Sequence, residues 1–226
     1  MSKLILLKLT SPLEFEIHKG EINRTKNLIF TTTDKELAED IVARYNIFVL
    51  PENNPQENLV EQAKQYAIGC HQMVCHLYDN QLYTVHLEMV YEYGEKFAYL
   101  LPKEDVEIVL AACWAHDLIE DTRRTYNDVK YALNEKVADI VYALSNEKGK
   151  TRAERANQKY YDGIVVDLKY AFTKICDRLA NIKYSKQKGS GMFNAYKKEH
   201  QSFTNHLSCF KPVLGPMFEE MDMLFI

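Results

Sequence analysis

The spacing of hydrophobic residues changes once along the chain, near residue 50. Before that point, short apolar runs separated by turn residues at 3–9, 13–18, 27–30 and 47–50 predict β-strands. A helical spacing within 33–45 interrupts them. After that point, apolar residues recur every three or four positions, which predicts helices. The sequence therefore predicts a mainly α protein, with a small α+β appendage at residues 1–50 and a helical domain at residues 54–226.

One predicted helix combines an apolar beginning with a charged end. It covers residues 104–120, and its charged end lies in the segment WAHDLIEDT at 114–122. A buried charge costs several kcal/mol unless it is paired or bound to a metal. Either this end of the helix emerges into solvent, or it faces a site that uses the charges.

The residue types in this segment suit a metal site. In a helix, His116 would lie one turn from Glu120, and Asp117 one turn from Asp121. A metal needs further ligands, and two candidates elsewhere are His86 and Asp177, the latter within an apolar segment. Two imidazoles and two carboxylates suit Mn²⁺ or Fe²⁺, with Zn²⁺ or Mg²⁺ as alternatives. Taken singly, each of these residues is equally compatible with an ordinary surface or interface position.

Three segments together resemble a known family. YTVH at 83–86, AHDLIEDT at 115–122 and KICDRLANI at 174–182 are similar to the successive signatures of HD-domain metal-dependent phosphohydrolases. In detail they resemble the hydrolase domain of the RelA/SpoT alarmone enzymes and the small alarmone hydrolases. The order and approximate spacing agree over roughly residues 57–210. The resemblance implies an HD-domain helical bundle and hydrolysis of the 3′-pyrophosphate of ppGpp or pppGpp, with Mn²⁺ as the expected cofactor.

The resemblance also implies a role for individual residues. Those that match its metal ligands are His86, His116, Asp117 and Asp177. The acidic pair that positions and activates the attacking water is Glu120 and Asp121. The residues that the resemblance and the local charge place near the substrate are Asn181, Ser145, Tyr83, Lys148 and Arg152.

One segment departs from the family pattern. Alarmone hydrolases carry a basic segment before the YxxH motif, whereas residues 71–81 here read HQMVCHLYDNQ, without Lys or Arg. The sequence predicts a loop at 76–84. The lack of basic residues favours an alternative substrate, such as a deoxynucleotide or NADPH. A third alternative is a non-catalytic module that binds a nucleotide or a nucleic acid.

Charge is unevenly distributed. Residues 148–188 hold 11 Lys+Arg against 4 Asp+Glu, although the whole chain has a net charge of −4. This basic block could bind a phosphate-rich ligand or form a solvated helix face. Arg178, next to Asp177, is expected to point away from the metal site.

The apolar runs and the cysteines indicate the cellular location. The longest apolar run, 106–115, is much shorter than a transmembrane span, and the first residues lack the apolar run of a secretory signal. Five cysteines without paired spacing predict reduced thiols. We therefore expect a cytoplasmic enzyme with a small nucleotide substrate and neither a membrane nor a nucleic-acid partner; the sequence leaves a homo-oligomer open.

Overall fold

The computed structural model describes the backbone of four strands within residues 5–49 and all of residues 58–226. The strands are β1 (Ile5–Ser11), β2 (Glu14–Lys19), β3 (Leu28–Thr32) and β4 (Phe48–Val49), in the sheet order β3-β2-β1-β4. β1 and β2 are antiparallel, as are β2 and β3, while β4 lies parallel to β1. The four predicted strands are thus present. The predicted helix within 33–45 lies outside the described residues, and the division into residues 1–50 and 54–226 stays a prediction.

The rest of the described chain is mainly helical, which confirms the mainly α prediction. The α-helices, in chain order, are α1 (Leu59–Met73), α2 (Thr84–Phe97), α3 (Lys103–Ala115), α4 (Leu118–Asp121), α5 (Tyr126–Ala132), α6 (Glu135–Leu144), α7 (Arg152–Arg155), α8 (Gln158–Ile164), α9 (Leu168–Gln187), α10 (Gly191–His206) and α11 (Lys211–Leu224). None of these helices is long and apolar enough to cross a bilayer.

Local signals explain where many of the helices begin. The Asn58 side chain accepts a hydrogen bond from the backbone N–H of Glu61 at 2.9 Å, which caps α1. Thr125 and Asp128 form the capping box of α5. α9 ends at Gln187, and Gly189 follows two residues later with a φ of +61°, which is readily adopted only without a Cβ.

α9 lies at the centre of the bundle. It packs against α2, α3, α6, α10 and α11, and its inward face contributes fully buried residues such as Phe172, Ile175 and Leu179. The apolar half of α3 is equally buried, with Trp114 2 % exposed. Because α9 touches so many neighbours, polar side chains along it are held in fixed positions relative to α2 and α3.

The segment at 114–122 is not one continuous helix, and this corrects the sequence prediction. α3 ends at Ala115, Asp117 has φ −97° and ψ 5°, and α4 begins at Leu118. The Nδ1 of His116 donates to the carbonyl of Cys113 at 3.0 Å, the acceptor that residue 117 would use in a continuing helix. The break turns His116 and Asp117 towards neighbouring helices.

The segment between α1 and α2 is a β-hairpin where the sequence predicts a loop. β5 (Leu77–Tyr78) pairs antiparallel with β6 (Gln81–Leu82). Asp79 and Asn80 connect them with φ values of 50° and 64°, the left-handed conformation of a tight two-residue turn. Asp and Asn tolerate this conformation better than most residues, so the turn is locally encoded.

Candidate metal site and cavity

Three elements bring four candidate ligands together. His86 lies in the first turn of α2, His116 and Asp117 in the break between α3 and α4, and Asp177 in the middle of α9. Both histidines are buried, at 1 % and 2 % exposed. Burial of this degree requires that their ring nitrogens find partners within the protein or on a bound ion.

Distances between the donor atoms suit one metal ion. Nε2 of His86 lies 3.2 Å from Nε2 of His116, which in turn lies 2.9 Å from Oδ2 of Asp117. The third side of this triangle, from His86 Nε2 to Asp117 Oδ2, is 3.7 Å. Two adjacent ligands at about 2.1 Å from one ion are roughly 3 Å apart. Within the described chain, these three residues form the one cluster of metal-binding side chains with donor atoms so close.

Asp177 faces the same cluster from α9. Its Oδ1 lies 3.4 Å from Nε2 of His86 and 3.8 Å from Nε2 of His116. Its other oxygen accepts a hydrogen bond from Nζ of Lys174 at 2.9 Å, and the Asn181 amide donates to Oδ1 at 2.5 Å. The Asp177 carboxylate is therefore held in place by its own helix and directed at the two imidazoles.

The tautomer of His116 fits a metal ligand. Because a carbonyl oxygen can only accept, Nδ1 of His116 must carry the hydrogen that it shares with Cys113. A neutral imidazole then presents the lone pair of Nε2 to the cluster, which is the usual arrangement in metal sites. Two nitrogens and two carboxylates form a donor set that accommodates Mn²⁺, Fe²⁺ or Zn²⁺.

Without an ion, the same groups hold a proton. Burial by itself lowers the pKa of His116, but the charge of Asp117 and its hydrogen bond raise that pKa to about 9. For Asp117, burial raises the pKa, and the facing His116 outweighs it and lowers the pKa below its usual value. Burial also raises the pKa of Asp177. The charge of Lys174, together with the facing histidines, outweighs burial and brings this pKa well below its usual value. The cluster is thus an ion pair whose proton a metal would displace.

Tyr83 connects the cluster to α1. Its hydroxyl donates to Oδ2 of Asp117, and burial raises its pKa well above the usual value, so it stays protonated. Its ring stacks on His76 with centroids 3.8 Å apart and on His71 at 4.3 Å. Tyr83 therefore orients a candidate ligand and is itself fixed by two histidine rings.

The acidic pair lies beside the cluster on α4. Glu120 accepts hydrogen bonds from the side-chain amide of Asn146, at 2.9 Å to each oxygen, and from the Asn146 backbone at 3.2 Å. Burial and the charges of Asp117 and Glu120 raise the pKa of Asp121 to about 7. Asp121 can therefore exchange a proton near neutral pH, whereas Glu120 is held by a fixed donor.

A cavity of about 400 Å³ opens beside these groups, a size typical of small-molecule sites. His86, Asp117, Asp177, Glu120 and Asp121 line one side of it. Its other lining residues are Tyr83, Asn146, Arg152, Ala153, Arg155, Ala156, Tyr160, Tyr161, Lys174, Arg178, Asn181, Tyr196, Glu199, Ser202 and Phe203.

Cationic side chains and one glutamate form a linked group in this lining. Glu199 on α10 receives two hydrogen bonds from Arg152, at 2.8 and 3.0 Å, and one from Arg178 at 3.0 Å. The Tyr196 ring lies beneath both guanidinium groups, with centroid distances of 5.3 and 4.9 Å. Arg178 is thus part of the cavity wall. It contacts Glu199, Tyr196 and Phe203, and its direction away from the metal site stays a prediction.

The predicted substrate residues separate into two groups. Tyr83, Asn181 and Arg152 line the cavity, whereas Ser145 and Lys148 do not. The Ser145 hydroxyl donates to the backbone carbonyl of Val141 at the end of α6, and Lys148 is exposed. The neighbour of Ser145, Asn146, reaches the cavity in its place.

Several lining residues were missed by sequence reasoning. Asn146 directly follows Ser145, a predicted substrate residue, so its position was a usable signal. Tyr196, Glu199 and Phe203 belong to α10, far along the chain from the motifs, and their spacing marks only an amphipathic helix. No sequence signal linked them to this site.

Comparisons with known proteins agree with the motifs. No protein-family model matches the chain. A stretch of 79 residues is 30% identical to guanosine-3′,5′-bis(diphosphate) 3′-pyrophosphohydrolase MESH1 of Danio rerio. This stretch covers 35% of this chain and 43%, less than half, of that relative.

A solved structure of a metazoan ortholog of SpoT, which hydrolyses ppGpp and plays a role in starvation responses, superposes with a TM-score of 0.58 at 18% identity. The match covers 75% of this chain and 94% of that one. The predicted resemblance to the RelA/SpoT hydrolases is therefore confirmed, and the chain has their HD-like helical fold.

Proposed function

We propose that this protein is a metal-dependent phosphohydrolase that removes the 3′-pyrophosphate of ppGpp or pppGpp. The observation that carries the proposal is the meeting of two kinds of groups in one cavity. Three donor groups suited to a divalent ion, from His86, Asp117 and Asp177, line this cavity together with Lys174, Arg152 and Arg178. The fourth donor group, from His116, is buried 2.9 Å from Asp117. A pyrophosphate ester requires both kinds of groups, because its charge must be neutralised while a water molecule attacks phosphorus.

His86, His116, Asp117 and Asp177 would hold the ion, and Mn²⁺ is the ion we expect. When bound, such an ion activates water and polarises a phosphate oxygen. Tyr83 and Asn181 keep the two carboxylates in orientation through their hydrogen bonds. The buried imidazoles exclude competing solvent from that side of the site.

The acidic pair would manage the proton. A carboxylate of Asp121 with a pKa near 7 can accept a proton from the attacking water and later release it. Glu120, fixed by Asn146, would orient that water. Arg178, Lys174 and Arg152 would neutralise the phosphate oxygens.

The proposal includes a cytoplasmic setting, where thiols remain reduced. All five cysteines are free, and Cys70, Cys113 and Cys176 are buried among core residues. A small-molecule nucleotide is the proposed partner.

A second candidate is hydrolysis of another nucleotide, such as a deoxynucleotide or NADPH. The observation in its favour is that residues 71–81, before Tyr83, carry no Lys or Arg. Without cations there, the phosphates of the substrate must be bound by the opposite wall. The same chemistry would then serve a differently arranged nucleotide.

The test is Mn²⁺-dependent release of phosphate or pyrophosphate from ppGpp, pppGpp, GTP, deoxynucleoside triphosphates and NADPH. The wild type is compared with Asp117→Asn and with Asp222→Asn as a matched control. Asp222 also pairs with a histidine, His200, at 2.6 Å, but does not line the cavity. We expect conversion of ppGpp to GDP in the wild type and the control only.

The other outcomes decide between the candidates. Turnover of another nucleotide, lost in Asp117→Asn, would keep the chemistry and replace the substrate. Nucleotide binding that survives EDTA, with no turnover of any substrate, would identify a binding module and overturn the proposal.

A further inference from the structure

Side-chain hydrogen bonds connect the hairpin of β5 and β6 to α9. The Gln81 amide donates to the Tyr184 hydroxyl at 2.9 Å, and that hydroxyl donates to Asp79 at 3.1 Å. The rings of Tyr78 and Tyr184 are 4.6 Å apart. A tight turn and three contacts to one helix give this hairpin a defined position, unlike an exposed loop.

From this position Tyr78 reaches the surroundings of two candidate ligands. Its ring stacks on the imidazole of His86, with centroids 4.9 Å apart and planes 23° apart. Its hydroxyl donates to Oδ1 of Asn181 at 2.9 Å, across 103 positions of the chain. The amide nitrogen of Asn181 is thereby turned towards Asp177, to which it donates at 2.5 Å.

His86 depends on packing more than its partner His116 does. The Nδ1 of His116 is fixed by the Cys113 carbonyl, whereas the buried Nδ1 of His86 has no hydrogen-bond partner among residues 58–226. Metal-binding histidines usually gain their orientation from such an outer hydrogen bond. For His86, packing against neighbouring rings must supply the orientation instead. The Tyr78 ring covers one face of the His86 imidazole.

We infer that Tyr78 is a positioning residue for the metal centre: its ring orients His86, and its hydroxyl, acting through Asn181, orients Asp177. The inference rests on the proposed metal centre but not on any particular substrate. It assigns to the hairpin a role on the metal side of the cavity, where it supports ligands and does not bind phosphate.

Two variants separate the contributions of the ring and the hydroxyl. Tyr78→Phe keeps the stacked ring and loses the hydrogen bond to Asn181, while Tyr78→Leu loses both. Leu82→Ala is the matched control, since Leu82 lies on the same hairpin and is 55% exposed. Losing an outer-shell partner typically weakens metal affinity about 10- to 100-fold.

The experiment titrates each metal-free protein with Co²⁺ and follows the visible absorption of the bound ion. We expect affinity to fall roughly 3- to 10-fold in Tyr78→Phe and about 10- to 100-fold in Tyr78→Leu, with an altered Co²⁺ spectrum. Leu82→Ala should match the wild type in both. The unfolding temperature of each metal-free variant shows whether it is folded; if Tyr78→Leu is not, Tyr78→Phe alone decides.

Wild-type affinity and an unchanged spectrum in folded Tyr78 variants would overturn the inference and leave the proposed function intact. A weakened Co²⁺ site in a protein that hydrolyses no nucleotide would support the inference while the proposed function fails. A wild type that binds no Co²⁺ would overturn both.

Discussion

The Nε2 atoms of His86 and His116 lie 3.2 Å apart between two buried side chains, with Asp117 beside them. At this distance at most one proton fits between the two nitrogens. A divalent ion would use both lone pairs and the carboxylate at once.

A divalent ion should stabilise the fold. Mn²⁺ at about 100 times its dissociation constant adds about 2.7 kcal/mol to the free energy of unfolding. For a chain of this size the unfolding temperature should rise by roughly 5–10 °C. Asp117→Asn should lose this shift and Asp222→Asn should keep it, as measured by thermal unfolding with Mn²⁺ and with EDTA. An equal shift in Asp117→Asn would remove that residue from the metal site.

The metal-free protein should become less stable as the pH rises. The pKa of His116 lies at about 9 in the folded chain, above its ordinary value of 6.5, because the charge of Asp117 outweighs the effect of burial. The folded state therefore holds this proton more tightly than the unfolded chain. The resulting stabilisation is complete below about pH 6.5 and is lost as the pH rises through about 9.

Urea unfolding at pH 6 and pH 9.5, in EDTA, measures this effect. The difference between the two pH values should be larger in the wild type than in His116→Gln. The same pH dependence in both proteins would mean that His116 does not carry the proton.

Glu120→Gln should separate catalysis from metal binding. Glu120 touches Asn146 and lies outside the group of four candidate ligands, so Mn²⁺ affinity should stay within about twofold. Loss of a residue that positions the reacting water typically lowers turnover about 10²- to 10⁴-fold. Calorimetric Mn²⁺ binding and steady-state kinetics give the two readouts. Loss of Mn²⁺ from this variant would contradict the separation of ligands from the acidic pair.

Arg152 and Lys148 should behave differently although both belong to the basic block. Arg152 lines the cavity and is ordered by Glu199, whereas Lys148 is exposed and outside it. A charge-assisted hydrogen bond contributes about 1.5–3 kcal/mol, so Arg152→Ala should raise KM roughly 10- to 100-fold. Lys148→Ala should leave KM unchanged. Similar KM values for the two variants would place the phosphate contacts elsewhere.

Two glycines in helices offer a matched test of the packing around the site. A Cβ on Gly94 in α2 would lie 2.9 Å from Sγ of Cys113, whereas one on Gly163 in α8 would meet no atom within 4 Å. Gly94→Ala should cost about 1–3 kcal/mol through overpacking. Gly163→Ala should stabilise the fold by up to about 1 kcal/mol through helix propensity. Chemical unfolding of both variants measures the contrast, and equal effects would show that α2 and α3 tolerate a wider separation.

Local patterns allowed the helical class, most helix positions and the candidate ligands to be predicted. Thr125, for example, caps α5 because its hydroxyl and Asp128 act within one turn of chain. The four candidate ligands were recognised by residue type and by motif order, which do not require distances. The turn at Asp79–Asn80 was equally local, yet its hairpin was overlooked among the surrounding polar residues.

The tertiary structure decided which of these groups meet. Helical spacing put Glu120 one turn from His116 but did not indicate the partner of either side chain. The His116 side chain donates a hydrogen bond to the Cys113 carbonyl, and the Glu120 side chain accepts one from Asn146. Tyr78 and Asn181 are 103 positions apart, and Arg152 and Glu199 are 47 apart. Periodicity reports only which residues share a face of one helix. The contacts of that face depend on how several helices pack. That packing places Glu199 of α10 beside Arg152 and Arg178, and the hairpin beside His86.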